Sequence, residues 1–327
     1  MPVTPRTFAI LQAIQYEMQR DPKIVCSLQG SIGSATRPDG KSINFLSEFG
    51  LDRAMGRFGQ AIDEIWMAGS TVFYPFIEGH CAITQLPGMT TMYPAELMFN
   101  AAGPYRYQTG GMIPSVSCVI WLAAPGRGAG SGAEHSTAGA ESVYAYYSGI
   151  KVVCPHKVYD AKGLMAAAIR DGNPIMYVNY SSEASADIPD EAYVVPIGKA
   201  NILKEGTDIT IAANPPASLE VETAIATLEK DGIKAEHFDV RTLKPFDEAT
   251  LVKSVKKTGR LLAVSYGNYT NDFTSHILAV AAQEVPGLKC RKITFPDVPS
   301  PASREMINWM KPDNPKIVDA AKKLAKL

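Results

Sequence analysis

The sequence predicts an α/β fold with mainly parallel sheets, divided into two domains. Short apolar runs rich in β-branched residues alternate with amphipathic segments, an order typical of strands joined by helices. The polar, proline-containing segment 181–197 interrupts this order once. The chain has 327 residues, of which 46% are hydrophobic, and this is enough for two domains with their own cores.

The elements of the first half alternate on both sides of a glycine-rich stretch. Near the N-terminus, apolar residues recur at helical spacing and predict an amphipathic helix. Residues 30–62 are rich in glycine and polar residues and are hard to assign. Strands are predicted at 24–29, 115–124, 151–155 and 174–180, and further helices at 95–108, 142–150 and 158–171.

The second half repeats the same alternation after the polar segment. Gly232 and Gly259 are expected to end two of its helices, because glycine adopts the left-handed backbone that closes a helix. The predicted strands are 207–213, 234–240 and 260–267, and the predicted helices are 219–232, 247–259 and 273–285.

Composition and charge exclude several classes of function. The net charge is −1, without a block of like charges, so we expect neither a nucleic-acid nor a membrane partner. No apolar run is long enough to span a bilayer, and the N-terminus lacks the apolar core of a signal peptide. Five scattered cysteines show no CxxC spacing. We therefore expect a protein of the reducing cytoplasm.

The most distinctive segment is GRGAGSGAEHSTAG, residues 126–139, which carries His135 at the end of a glycine-rich run. Glycines let the backbone turn tightly and approach a ligand closely. An imidazole beside such a loop can act as an acid or a base near neutral pH. An ordinary surface loop with an ordinary histidine explains this segment equally well on its own.

Several longer segments resemble one family, in order and with matching spacing. They include GAGSGAEHS, IKVVCPHKVYDAKGLMAAAIRDGNPIMYV, PIGKANILKEGTDITI, GIKAEHFDVRTLKPFD and FPDVPSP. These segments are similar to the beta subunits of thiamine-diphosphate-dependent 2-oxo acid dehydrogenases, the decarboxylating components of the pyruvate, branched-chain and acetoin complexes. The resemblance is strong from Tyr105 onward and patchy before it.

The resemblance implies a pyrimidine-binding, transketolase-like α/β domain over 1–182, a linker over 183–198 and a transketolase C-terminal-type domain over 199–327. It also implies that thiamine diphosphate binds across a subunit interface. An alpha subunit would hold magnesium and the diphosphate through a GDG motif, which this chain lacks. Two alpha and two beta chains, a lipoyl acyltransferase partner and a potassium ion held by backbone carbonyls within 115–170 are further implications of the same resemblance.

Glu64 and His135 are the catalytic residues that the resemblance implies. GQAIDE places the acid at Glu64, where family members read roughly DTPISE, and this carboxyl would hydrogen-bond the aminopyrimidine ring. Glu48 and Glu78 are rivals for that role, and a solvated carboxylate at a helix start is the alternative for Glu64. GAGSGAEHS places His135 where the family histidine faces the substrate and reacts with the lipoyl arm.

Other site residues are less closely matched. His80 and His156 are weaker alternatives to His135. The aromatic side chain that packs against the pyrimidine is missing from its usual segment, which reads QLPGMTTMY over 85–93. Tyr93 and Phe73 are the cofactor-binding candidates that replace it, with Phe76 as a further option.

The resulting function is that of a beta subunit whose enzyme decarboxylates a 2-oxo acid, or cleaves a related diketone or acyloin, and passes the acyl group to an acceptor such as a lipoyl protein. Two alternatives stay open. The chain could serve a carboligase or transketolase-like enzyme without a lipoyl partner, or it could be a non-catalytic assembly subunit. The sequence leaves the substrate undetermined, because the pocket is shared with another chain.

Overall fold

The computed structural model describes most of the chain as two compact units. The described residues are 3–28, 33–55, 64–78, 80–87, 92–124, 139–180 and 182–326. Unit 1 comprises Met1–Ala124, Tyr144–Asn179 and Glu183–Ile197, and unit 2 comprises Pro125–Val143, Tyr180–Ser182 and Gly198–Leu327.

Strands and helices alternate through the described residues. The strands are β1 (Val3–Pro5), β2 (Val25–Leu28), β3 (Ser34–Thr36), β4 (Ser42–Asn44), β5 (Ala54–Met55), β6 (Ala82–Pro87), β7 (Cys118–Ala124), β8 (Lys151–Val153), β9 (Ile175–Tyr180), β10 (Ser185–Asp187), β11 (Asn201–Lys204), β12 (Ile209–Ala213), β13 (Ala235–Asp239), β14 (Thr242–Lys244), β15 (Arg260–Asn268) and β16 (Lys289–Phe295). The α-helices are α1 (Arg6–Arg20), α2 (Phe45–Phe49), α3 (Glu64–Glu78), α4 (Tyr105–Gln108), α5 (Ala140–Tyr146), α6 (Val158–Asp171), α7 (Ala217–Lys230), α8 (Glu248–Thr258), α9 (Phe273–Glu284), α10 (Arg304–Met310) and α11 (Asn314–Ala325). A π-helix, Leu97–Ala102, lies between α3 and α4.

Unit 1 is built on a sheet whose strands run in the order β8-β9-β7-β6-β2-β5. Strands β5, β2, β6 and β7 are parallel to their neighbours in this series. Helices α1 and α6 pack together, and their apolar residues share one core with Trp121 and Tyr177 of the sheet. This arrangement confirms the predicted α/β fold with a mainly parallel sheet.

Unit 2 has a second sheet in the order β11-β13-β12-β15-β16. Only the edge strand β11 runs antiparallel to its described neighbour. Every residue of β12 is buried, as expected for a central parallel strand. Helix α8 begins after Asp247, whose side chain accepts a hydrogen bond from the Thr250 amide, and ends at Gly259 with φ +67°. Both ends of this helix agree with the sequence pattern.

The N-terminal helix and the polar segment after β9 are connected through a small sheet. Strand β1 pairs antiparallel with β10, and Thr4 lies opposite Ala186. The Lys162 ammonium of α6 donates to the backbone carbonyls of Pro189 and Asp190. The segment 183–197 is therefore held on unit 1 by backbone pairing and by a buried lysine.

None of the described helices combines the length and apolar character needed to cross a bilayer.

Candidate functional site

Four parallel strands of unit 1 end beside the segments that carry the sequence candidates. Strand β2 leads into residues 29–32, β5 into 56–63, β6 into 88–91 and β7 into 125–138. Because neighbouring strands in this series are parallel, all four carboxyl ends lie at one edge of the sheet. Ligands of open α/β sheets bind at that edge. The four strands therefore end at the edge where such sheets bind their ligands.

Glu64 is the first residue of α3, directly after the segment that follows β5. Its backbone thus starts at the carboxyl edge of the sheet, while its side chain lies outside the described part of the chain. Glu78, its rival, is the last residue of the same helix. At 1.5 Å per residue, these two positions are about 21 Å apart along the helix axis. Glu78 precedes β6 and so belongs to the opposite edge.

Glu48, the other rival, is occupied elsewhere. It lies in α2, and its two carboxylate oxygens accept hydrogen bonds from the side-chain amides of Gln15 and Gln19 on α1. These bonds hold the Glu48 carboxylate against the outer helix layer. Of the three glutamates, Glu64 alone begins an element at the carboxyl edge.

The two aromatic candidates occupy different positions. Tyr93 follows β6 at the carboxyl edge, and its side chain is 44% exposed. Phe73 lies on α3, nine residues after Glu64, which is about 14 Å further along the helix axis. The Phe73 ring packs against Phe76, with ring centroids 6.0 Å apart, and Phe76 packs edge-on against Tyr105. Phe73 thus lies well along α3 from Glu64 and packs with a neighbouring ring of the same helix, whereas Tyr93 comes after the end of β6.

His135 lies outside the described residues, and the structure accounts for both of its alternatives. The His80 Nδ1 atom is 2.8 Å from a carboxylate oxygen of Asp21, just before β6 begins. His156 is fully buried, and its backbone carbonyl accepts a hydrogen bond from the Arg6 guanidinium. Both histidines thus have structural surroundings. Among the described residues, no three His, Cys, Asp or Glu side chains are grouped to hold a metal ion.

A buried acid that no sequence pattern indicated follows the glycine-rich segment closely in the sequence. Glu141, the second residue of α5, is 1% exposed and accepts hydrogen bonds from the Tyr180 hydroxyl and from the Asn214 amide, the latter at 2.9 Å. Burial raises the pKa of Glu141 to about 7, and the nearby charge of Asp272 adds to this effect, while the two hydrogen bonds oppose it. Its spacing to the fully buried Tyr144 marks Glu141 as a residue of the helix face that packs inward.

Comparisons with known proteins agree with this architecture. Residues 88–182 match the family model of the transketolase pyrimidine binding domain, and residues 198–317 match that of the transketolase C-terminal domain. The chain is 31% identical over 330 residues to the beta subunit of acetoin:2,6-dichlorophenolindophenol oxidoreductase from Cupriavidus necator, covering 97% of this chain and 96% of that protein.

Two further relatives span nearly the whole chain. The pyruvate dehydrogenase E1 component subunit beta of Rickettsia bellii is 30% identical, with 99% of each chain covered. The 2-oxoisovalerate dehydrogenase subunit beta of Bacillus subtilis is 28% identical, with 97% of each covered. A solved structure, a split-gene transketolase in an inactive beta4 tetramer, superposes with a TM-score of 0.78 at 20% identity and covers 99% of this chain and 98% of its own. That last likeness concerns the fold.

Proposed function

Since this chain belongs to the family of beta subunits of thiamine-diphosphate-dependent 2-oxo acid dehydrogenases, we propose that its share of the reaction is to bind and activate the aminopyrimidine end of the cofactor. The enzyme decarboxylates a 2-oxo acid, or cleaves a related diketone or acyloin, and passes the acyl group to an acceptor such as a lipoyl protein. The observation that supports the proposal is that four parallel strands of unit 1 end at one edge of its sheet, and that the chain continues from these strands toward Glu64, Tyr93 and His135 in sequence.

Glu64 and Tyr93 are of residue types that suit an aminopyrimidine. The carboxyl of Glu64 would hydrogen-bond a ring nitrogen, and the exposed ring of Tyr93 would pack against the pyrimidine face. When bound, thiamine diphosphate supplies an electron sink for the electron pair left behind as carbon dioxide departs. Phe73 remains the second aromatic candidate, at the greater distance described above.

His135 would face the substrate and move protons during transfer to the acyl acceptor. Its imidazole can exchange a proton near neutral pH, and a positioned acid or base typically contributes about 10²–10⁴-fold to a rate. The glycines before it have no Cβ atom and would therefore allow a substrate and a lipoyl arm to approach the backbone.

A partner alpha subunit would complete the site. It would hold magnesium and the diphosphate, because this chain contains no GDG motif. We propose an assembly of two alpha and two beta chains that works with a lipoyl acyltransferase, with a potassium ion on carbonyls of 115–170. We place this assembly in the cytoplasm, whose reducing conditions suit the five scattered cysteines.

We also propose limits for the two domains and the linker. The pyrimidine-binding domain would span 1–182, the linker 183–198 and the C-terminal domain 199–327. The two family matches, which end at 182 and begin at 198, support these limits.

The test of Glu64 uses the alpha and beta chains purified as a complex. We compare the wild type, Glu64→Ala and Glu78→Ala. Calorimetry measures the binding of thiamine diphosphate in the presence of magnesium, and a separate assay measures the turnover of 2-oxo acids. We expect Glu64→Ala to lose turnover and to weaken cofactor binding. Glu78→Ala is the matched control on the same helix and should behave as the wild type. Unchanged binding and turnover in Glu64→Ala would remove Glu64 from the mechanism.

The test of His135 separates decarboxylation from acyl transfer. We expect His135→Ala to bind the cofactor normally and still to reduce an artificial dye acceptor, but to lose transfer to a lipoyl acceptor. Normal transfer to the lipoyl acceptor in His135→Ala would overturn this assignment.

A further inference from the structure

Residues 139–142 of unit 2 form a tightly bonded segment immediately after the glycine-rich stretch. Gly139 has φ +103°, and a Cβ atom there would lie 3.0 Å from the Cα of Gly267, so only glycine allows this close approach. The Ser142 hydroxyl accepts from the Phe273 amide at 3.0 Å and donates to Asp272 at 3.3 Å. This segment, which we call the loop base, is thus fixed to the start of α9.

A second set of bonds passes through the buried carboxyl. The Gly139 amide donates to the Tyr180 hydroxyl oxygen at 3.1 Å, and the same hydroxyl donates its proton to Glu141. Asn214 donates to the other carboxyl oxygen of Glu141. Each bond in such a chain polarises the next one, so removing a single hydroxyl weakens the whole series. His135 stands only four residues before Gly139 in the sequence.

We propose that Glu141 is a positioning residue which, through Tyr180 and Asn214, fixes the loop base, from which the chain leads to His135 four residues earlier, and which thereby supports acyl transfer. The proposal rests on the function proposed above for His135. Glu141 itself is bonded to other protein groups through both oxygens, so it acts through the loop base and not on the substrate.

The surroundings of Glu141 can hold it in either protonation state. Within the described chain, Asn214 has a buried Oδ1 atom without a hydrogen-bond partner. Turning the Asn214 amide over would present that oxygen to a protonated Glu141, because the amide carries a donor and an acceptor on opposite sides. The titratable groups that act on Glu141 are Tyr180 on β9 and Asp272 at the start of α9.

Protonation of Glu141 is linked to local opening of the loop base, in which its hydrogen bonds break and Glu141 meets water; the bonded state is called closed. Because burial raises the pKa of Glu141 from its usual 4.5 to about 7, the closed state holds the proton more tightly than a solvated carboxyl would. Raising the pH from 5 to 7 therefore favours opening, by up to about tenfold per pH unit, and the effect levels off above pH 7. Glutamine at 141 has no ionisable proton and reproduces the bonding pattern of the neutral acid.

The test measures hydrogen exchange at the Gly139 amide in the assembled alpha–beta complex between pH 5 and pH 8. We expect protection of this amide in the wild type, after correction for the intrinsic rate, to fall as the pH rises to 7. In Glu141→Gln, protection should stay high and independent of pH. In Tyr180→Phe it should fall about fivefold to tenfold at every pH, as loss of one buried hydrogen bond predicts.

Glu236→Gln is the matched control, since Glu236 is an equally buried glutamate of unit 2 that is bonded to Ser254 and Lys257 and not to the loop base. In Glu236→Gln, the protection of the Gly139 amide from hydrogen exchange should equal that of the wild type at each pH. Identical exchange behaviour in the wild type, Glu141→Gln and Tyr180→Phe would overturn the proposed link.

Kinetics on the same complexes test positioning. We expect Tyr180→Phe to lower kcat for transfer to a lipoyl acceptor about tenfold, with KM for the 2-oxo acid unchanged. Glu141→Gln, which holds the loop base more firmly, should transfer the acyl group at least as fast as the wild type. Faster hydrogen exchange at the Gly139 amide in Tyr180→Phe, together with an unchanged rate of acyl transfer, would overturn the positioning role. Normal transfer in His135→Ala would instead overturn the function proposed for His135, so the two failures are distinguishable.

Discussion

Replacing Glu141 with glutamine should change stability in a way that depends on pH. The folded protein holds the proton of Glu141 up to about pH 7, whereas the unfolded chain releases it near 4.5. Between these values the unfolded state binds fewer protons, so the stability of the wild type falls as the pH rises. The cost of the buried carboxyl is about 1 kcal/mol at pH 5 and about 3 kcal/mol at pH 8 when one pKa unit is taken as about 1.4 kcal/mol.

Glu141→Gln abolishes this cost, because its side chain cannot ionise. Relative to the wild type, the variant should therefore gain about 2 to 3 kcal/mol between pH 5 and pH 8. For a chain of 327 residues this corresponds to a relative rise of about 4 °C in Tm.

Thermal unfolding of the assembled complex, followed at both pH values, measures this difference, and Glu236→Gln serves as the control for loss of a buried carboxylate. A difference in Tm between Glu141→Gln and the wild type that is the same at pH 5 and pH 8 would refute the reasoning.

Three further substitutions test the fold. Glu17→Gln should cost about 2 kcal/mol in urea unfolding, because the fully buried carboxylate pairs with the half-exposed Arg170 and Arg20; a loss below ~0.5 kcal/mol, typical of surface pairs, would contradict this. Burial lowers the pKa of Lys162 to about 8, so the unfolding free energy of the wild type should rise from pH 8 to pH 10. Lys162→Met should lose this rise. The same shift of the urea midpoint with pH in the wild type and in Lys162→Met would contradict this prediction. Asp313→Ala should cost about 1 kcal/mol, because its side chain accepts from the Lys316 amide at the start of α11, and an unchanged midpoint would exclude that cap.

The fold could be predicted where local signals agree with tertiary packing. In α8, the predicted helix 247–259 was expected to end at Gly259, and the structure confirms this end; at the other end, the structure shows Asp247 as the cap. Strand β1 could not be predicted, because its partner β10 lies about 180 residues away in a segment with polar composition. Thr4 precedes a proline and a run of helical periodicity, a pattern that predicts a helix cap, but the structure places it in β1, so this prediction is wrong. Local patterns carry no information on such long-range pairing.

The sequence indicated candidate residues for the site but not how the strands before them are ordered. Only the strand order shows that β2, β5, β6 and β7 end at one edge of the sheet. The burial of Glu141 could not be predicted, because a single acid near a helix start is usually solvated. Only its contacts with Tyr180 and Asn214 in the structure reveal it.

The central claim is that a carboxyl at Glu64 activates the cofactor through its pyrimidine ring. Exchange of the thiazolium C2 proton for deuterium, measured on thiamine diphosphate bound to the alpha–beta complex, tests it most directly. We expect Glu64→Gln to slow this exchange at least 100-fold, within the range for a lost acid–base group, while Glu78→Gln leaves it unchanged. Exchange in Glu64→Gln as fast as in the wild type, with the cofactor fully bound, would contradict the account.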